Sequence, residues 1–271
     1  MRSRFLANWC PPMLRTALNR AIGSHTRYVG PFADWAQASA NAAGYDEAAI
    51  LQRVVEATQR ALCHGSGYEQ DGVFRDHVAP PGYVLAALML AAACDGGRLS
   101  VVDFGGALGS HYLRWRALLG VLPELHWCIV EQAKFVVAGT QLFASTPAVA
   151  FRDDVGEARE FEPNAVLASS ALQYLEKGSE ILSALIDLNP KVIVLDRTPF
   201  DAGPRDQILV QHVPASLGRA SYPLRTFARP SFESRLQTRY DKALEFPSGD
   251  APVRINGVSA DYLGQIWVRR S

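Results

Sequence analysis

Hydrophobic and polar positions change rhythm near residue 97. Before it the pattern is helical. Over residues 46–62, Ile50, Leu51, Val54, Val55, Thr58, Ala61 and Leu62 share one face, and Asp46 after Gly44 is the expected N-cap. A second helix, Tyr83 to Cys94, is apolar nearly all round, as buried helices are. An irregular polar stretch from Gly65 to His77, closed by Pro80 and Pro81, separates the two. Residues 1–33 carry Arg2, Arg4, Arg15, Arg20 and Arg27 with no acid, and Leu14, Leu18 and Ile22 stand at helical spacing. This basic leader is expected to be solvated and mobile; weak association with an anionic membrane surface is the other reading.

After Gly96 and Gly97, short apolar runs alternate with helical stretches. The runs are Leu99 to Phe104, Trp127 to Val130, Val149 to Phe151, Ala165 to Ala168 and Val192 to Leu195. Helices are expected at Tyr112 to Leu119, Phe135 to Phe143 and Ser179 to Leu188. That alternation predicts a parallel sheet covered on both faces. Beyond Asp201 the rhythm loosens: Pro230 to Tyr240 reads as a helix, and Lys242 to Phe246 with Tyr262 to Val268 as a closing antiparallel pair at one edge. The domain expectation is a basic leader over 1–33, a helical cap over 34–96 and an α/β domain over 97–271.

Composition narrows the function classes. The 271 residues hold 27 basic and 27 acidic side chains and are 48% hydrophobic, which suits a globular chain and argues against a dedicated nucleic-acid binder. Cys10, Cys63, Cys94 and Cys128 form no C-x-x-C pair, and the six histidines form no metal motif, so no metal site is expected. The apolar run at Tyr83 to Cys94 is about half the ~20 residues that cross a bilayer, and no signal-peptide core precedes it. A cytoplasmic location is expected.

The most informative stretch is Ser100-Val-Val-Asp103-Phe-Gly105-Gly106-Ala107-Leu-Gly109-Ser-His111-Tyr112, a buried strand running through a glycine turn into a helix. In a doubly wound sheet such a turn lies where ligands bind. No lysine completes a phosphate-binding loop, and Ala107 and Ser110 occupy two glycine positions of the dinucleotide fingerprint. Acids close successive strands instead: Asp103, Glu131 before Gln132, and the pair Asp153 and Asp154. Three acidic strand ends repel a pyrophosphate. They suit S-adenosylmethionine (SAM), which carries an ammonium, a sulfonium and a ribose but no phosphate. Asp103 is then expected to orient the ammonium, directly or through water, Glu131 to accept both ribose hydroxyls, and Asp153 or Asp154 to accept from the adenine amine.

The chain also resembles bacterial class I SAM-dependent methyltransferases encoded among surface-polysaccharide genes. The markers are Tyr45-Asp46, Tyr68-Glu69, the segment Asp103 to Ser110, Ile129 to Gln132, Ser169 to Leu175, Asp196 to Phe200 and Ala220 to Pro223, within a likeness running from about Tyr28 to Val268. The resemblance implies a doubly wound, Rossmann-like seven-stranded α/β sheet with its last strand antiparallel, and SAM as methyl donor. Ala107 stands where many class I members have glycine, which requires a negative φ there to avoid strain.

Acceptor chemistry is expected at the next strand ends. Ser169 and Ser170 border the sulfonium in the resemblance, and Tyr174 either faces that cation or packs the following helix. Asp196 is a candidate base or acceptor-binding carboxylate, and Arg197 a clamp for an anionic acceptor; the alternative is an ion-pair network between the two. His212 is a candidate base, with packing as the alternative. Tyr222 is expected in a loop over the acceptor pocket, Tyr68 in a lid, and His111 as a helix-start residue, with a catalytic role as its alternative. The leading expectation is methyl transfer to a small polar or saccharide-linked acceptor. A nicotinamide-dependent oxidoreductase or epimerase and a non-catalytic SAM-binding partner protein are the rivals.

Overall fold

The computed structural model describes residues 26–44, 47–65, 67–70, 72–76, 82–213 and 220–270. The basic leader up to residue 25 and the expected cap Asp46 lie outside the described residues, as do Tyr45, His77, Pro80 and Pro81. The elements are β1 (Arg27–Phe32), α1 (Trp35–Ala40), α2 (Glu47–His64), β2 (Tyr68–Gln70), β3 (Val73–Arg75) and α3 (Tyr83–Ala93). Then come β4 (Arg98–Phe104), α4 (Ser110–Leu119), β5 (Glu124–Val130), α5 (Ala133–Leu142), β6 (Val149–Arg152), β7 (Ala165–Ser169) and α6 (Gly178–Asp187). β8 (Val192–Asp201), β9 (Gln207–Val213), β10 (Ala220–Ala228), α7 (Arg229–Leu236), β11 (Tyr240–Pro247), β12 (Val253–Ile255) and β13 (Val258–Arg269) complete the chain.

Two compact units divide the chain. The smaller contains the described residues within 1–45 and 208–224, the larger those within 46–207 and 225–271. In the smaller unit β1 pairs antiparallel with β9, Arg27 opposite His212 and Val29 opposite Val210. A bridge joins Gly44 to Ser221, whose hydroxyl accepts from Ala43 N–H at 2.7 Å. The leader reading contains no strand at 27–32: its partner lies about 180 residues away, so no local turn announces it.

In the larger unit the strand order is β6, β5, β4, β7, β8, β13, β11. β6, β5, β4, β7 and β8 are parallel; β13 runs antiparallel to both β8 and β11. These seven strands carry the doubly wound class I methyltransferase order that the resemblance implies; β12 adds to β13, and the end of β10 pairs parallel with the end of β8 at Phe227 and Ala228. The closing pair forms as expected, but β13 lies between β8 and β11, so β11 is the edge. Residues of alternating parity on the central strands enter different cores. Val101, Trp127, Ile129, Leu167 and Val194 join one cluster with α3 and α4, while Val102, Cys128, Val130, Val166 and Ile193 join the other with α6 and α7. The apolar helix α3 packs on β4 and β8. The polar stretch after α2 contains the β2–β3 hairpin, too short for its pattern to be read.

Packing is close enough to make small additions costly. A Cβ at Gly139 of α5 would stand 2.3 Å from the buried Phe151 ring. Gly139→Ala is expected to lower stability by about 1–3 kcal/mol in urea denaturation, because overpacking outweighs the gain in helix propensity. At the end of the sheet where β4 and β8 begin, Asp95 accepts from Lys191 Nζ at 2.6 Å, Asn164 Nδ2 at 2.8 Å and Arg98 at 3.2 Å. The Lys191 and Asn164 hydrogen bonds, with Arg98 adding, hold its carboxyl at about 2 against an ordinary 3.8. Its stabilisation is therefore complete above the ordinary value and lost as pH falls through about 2. Urea denaturation of Asp95→Asn is expected to show a deficit at pH 6 that closes towards pH 2.

Candidate functional site

The glycine turn sits where β4 hands the chain to α4. Gly105 (φ 70°) donates to Val130 O at 3.0 Å, and Gly109 (φ 77°) precedes the first helical residue. At Gly105 a Cβ would stand 2.6 Å from that of Ala171, and at Gly106 it would stand 2.5 Å from the Asp103 carboxyl, so both glycines are required by close packing. Ala107 has φ 51°, not the negative value expected of it, because its N–H is turned to the Glu131 carboxylate at 3.2 Å. Ser170 (φ 54°) and Arg197 (φ 51°) share this left-handed conformation at the ends of β7 and within β8. Ala107 follows β4, Ser170 follows β7 and Arg197 lies within β8, three strands that neighbour one another in the sheet.

Glu131 follows β5. Its two carboxylate oxygens accept one backbone N–H each, from Ala107 at 3.2 Å and Gln132 at 2.9 Å. Burial pushes its pKa up, the two N–H donors pull it down, and the nearby Asp103 charge pushes it up; the net shift is upward. Asp103 is fully buried. It accepts from Trp127 Nε1 at 3.1 Å and lies 3.2 Å from His111 Nδ1, so its carboxylate is enclosed by protein.

β8 runs on through residues expected to follow it. Leu195 faces Gln265 and Thr198 faces Leu263, so β8 holds one residue more than β13. The resulting bulge carries Asp196 and Arg197, and such bulges re-aim side chains. Asp196 accepts from Ser169 Oγ at 3.0 Å. Burial raises its pKa, with Ser169, His111 and Arg197 opposing, and the net shift is upward. Arg197 forms an ion pair with Asp250. It donates through Nε and a terminal nitrogen to the two oxygens of Asp250, at 2.9 and 3.1 Å.

A cavity of about 370 Å³ opens at this end of the sheet, lined by His111, Arg114, Trp115, Asp196, Arg197 and Asp250, with the start of α3 at its rim. A second hollow of about 250 Å³, around Arg205 and Arg235, is lined by none of the residues singled out in the sequence.

No protein-family model and no curated protein matches the chain. Among solved structures it is similar to the N-terminal domain of EvdMO1, crystallised in the presence of SAH and D-fucose, with 16% identity, 84% of this chain and 98% of that chain covered, and a TM-score of 0.47. SAM-bound CalS10, an amino pentose methyltransferase from Micromonospora echinaspora involved in calicheamicin biosynthesis, is 13% identical over 70% of this chain and 93% of that one, TM-score 0.43. Magnesium protoporphyrin IX methyltransferase from Synechocystis PCC 6803 with bound SAM is 14% identical over 84% and 87%, TM-score 0.42.

The site gathers Asp103, Gly105 to Gly109, Glu131, Gln132, Ser169, Ser170, Asp196 and Arg197 at one end of the larger unit's sheet. Asp153 and Asp154 follow β6 and are exposed; Asp154 accepts from Gly156 N–H at 2.6 Å and so closes its own turn. Tyr174 is mostly buried; burial raises its pKa, partly offset by hydrogen bonds to Ser170 and Gln173. Tyr68 is buried beneath Arg114, whose guanidinium lies 5.0 Å from its ring centre. His212 and Tyr222 belong to the smaller unit, on β9 and β10. Arg114 and Asp250 fall in none of the motifs, and His111 stands in the glycine-turn segment with a helix start expected of it. His111 and Arg114, one turn apart on α4, are the only ones of the three whose common face the helical period foreshadows. Among the described residues no cluster of three or more His, Cys, Asp or Glu side chains is placed to hold a metal ion, and no helix is long and apolar enough to cross a membrane.

Proposed function

We propose that this chain transfers a methyl group from SAM to a small polar or saccharide-linked acceptor. Glu131 carries the reading. A carboxylate offers about four lone-pair directions, and two are taken by Ala107 and Gln132. The remaining two suit a vicinal diol, the group a ribose presents, at the lip of the turn. SAM supplies an activated methyl group that leaves by in-line displacement, for which a protein mainly provides positioning. Ser169 and Ser170 border the reacting centre in this reading, Asp153 serves the adenine amine, and Asp196 binds the polar end of the ligand. Asp103 acts behind the turn instead of touching the ammonium.

The mixed charges around the cavity, Arg114 beside Asp196 and the neutralised Arg197–Asp250 pair, support an acceptor rich in both donors and acceptors. In the same proposal, Gln70 and the start of α3 cap the mouth of the cavity, and the donor binds within the larger unit. Cys63, Cys94 and Cys128 are free thiols, which fits a cytoplasmic setting. Calorimetric titration of the full chain decides the donor. SAM and S-adenosylhomocysteine are expected to bind at one site with NADH silent; NADH binding without SAM binding would overturn the reading.

A further inference from the structure

His111 is absorbed neither by the cofactor reading nor by the core. Its Nδ1 stands 3.2 Å from both oxygens of Asp103, a carboxylate with no solvent exposure. The ring stacks on Trp115, with centroids 5.6 Å apart and planes 15° from parallel. Asp103 fixes the proton on Nδ1, which leaves Nε2 as the basic nitrogen of a side chain that lines the cavity. The same cavity contains the bulge residue Asp196, and among the described residues the buried Trp115 N–H and Arg114 Nε–H have no acceptor.

We propose that His111 is the general base of this site, with Asp103 as its positioning residue, and that the acceptor presents a hydroxyl. The inference rests on the methyl-transfer reading above. As the acceptor oxygen attacks the methyl carbon, a C–O bond forms and the C–S bond breaks with its electron pair passing to sulfur. The hydroxyl proton passes to Nε2 and is then released to water. Products are a methyl ether and S-adenosylhomocysteine, and no oxidant or reductant is involved.

The groups facing His111 set its pH response. Burial lowers its pKa, while Asp103 on β4 and Asp196 on β8 raise it and Arg114 on its own helix lowers it; the net shift is upward. Arg197 and Asp250 meet as a neutral pair across the cavity, and Glu69 of β2 is engaged by Gly72 N–H and the Ser110 hydroxyl. Turnover therefore rises with pH through a value above that of a free imidazole, as His111 loses its proton and becomes able to accept another.

Two measurements on the full chain test this. Nitrogen NMR of the imidazoles is expected to show His111 with its proton on Nδ1 at high pH and a raised pKa that falls in Asp103→Asn. A proton on Nε2, or a pKa unmoved by Asp103→Asn, would overturn the dyad. S-adenosylhomocysteine release is then followed with SAM and a panel of D-glucose, D-galactose, D-xylose and their uridine diphosphate esters. His111→Gln is expected to bind SAM within threefold of wild type and turn over about 100-fold or more slowly, the usual contribution of a general base. Turnover within threefold of wild type would overturn the assignment, and so would SAM binding by the wild type with no transfer to any panel member. Absence of SAM binding would instead remove the methyl-transfer reading beneath it.

Discussion

Glu131→Ala is expected to weaken SAM and S-adenosylhomocysteine alike by about 1.5–3 kcal/mol, roughly ten- to a hundredfold in Kd, the range for hydrogen bonds to a charged group. Equal losses follow because both ligands carry the same ribose. The variant also loses the acceptor for Ala107 N–H, which holds a left-handed residue of the turn. That loss is read separately, as a drop of about 1 kcal/mol in ligand-free stability. Glu131→Gln keeps one acceptor oxygen and is expected to fall between the two. The wild-type affinity should itself decline in acid. Burial raises the Glu131 pKa, and only the ionised form accepts from both hydroxyls, so binding weakens as pH falls through that raised value. Calorimetry of wild type and both variants measures all of this. Unchanged ligand affinity in Glu131→Ala would remove the ribose assignment.

Trp127→Ala is expected to cost about 3–5 kcal/mol of stability, the range for emptying a large aromatic site in a core. That is a large share of the ~5–15 kcal/mol that holds most domains folded. Trp127 is 1% exposed and packs edge-on to Tyr112, with ring centres 6.0 Å apart. It also donates its indole N–H to the buried Asp103 carboxylate. Trp127→Phe retains most of the packing and removes that donor, so it isolates the hydrogen bond; about 1.5–3 kcal/mol is expected because the acceptor is charged. Urea denaturation of the three proteins gives both figures. A Phe variant as stable as wild type would show that Asp103 does not depend on Trp127.

Both experiments concern one design. Asp103 is legible in sequence as an acid at a strand end, expected to orient the ammonium directly or through water. The fold instead buries it between Trp127 and His111, two side chains 24 and 8 residues away in sequence. Its effect on the site passes through the imidazole of His111. Arg197 illustrates the same point from the other side. In sequence its fork points to the neighbouring Asp196 or to an anionic acceptor, whereas the fold pairs it with Asp250, 53 residues on, brought opposite by the β11–β13 hairpin.

What the amino-acid pattern alone determined is the part written in local periodicity. The five parallel strands, the glycine turn, the acids closing β4 and β5, and the closing antiparallel pair are each expressed within a dozen residues, because pleat, helix repeat and turn chemistry act over that distance. Tertiary structure alone decided what depends on chains meeting far apart. It placed β13 inside the sheet, paired β1 with β9, bulged β8 at Asp196 and Arg197, turned Ala107 left-handed towards Glu131, and set His111 between a buried carboxylate and a cavity. Charge, burial and hydrogen-bond geometry are properties of neighbours in space, and a linear pattern records only neighbours along the chain.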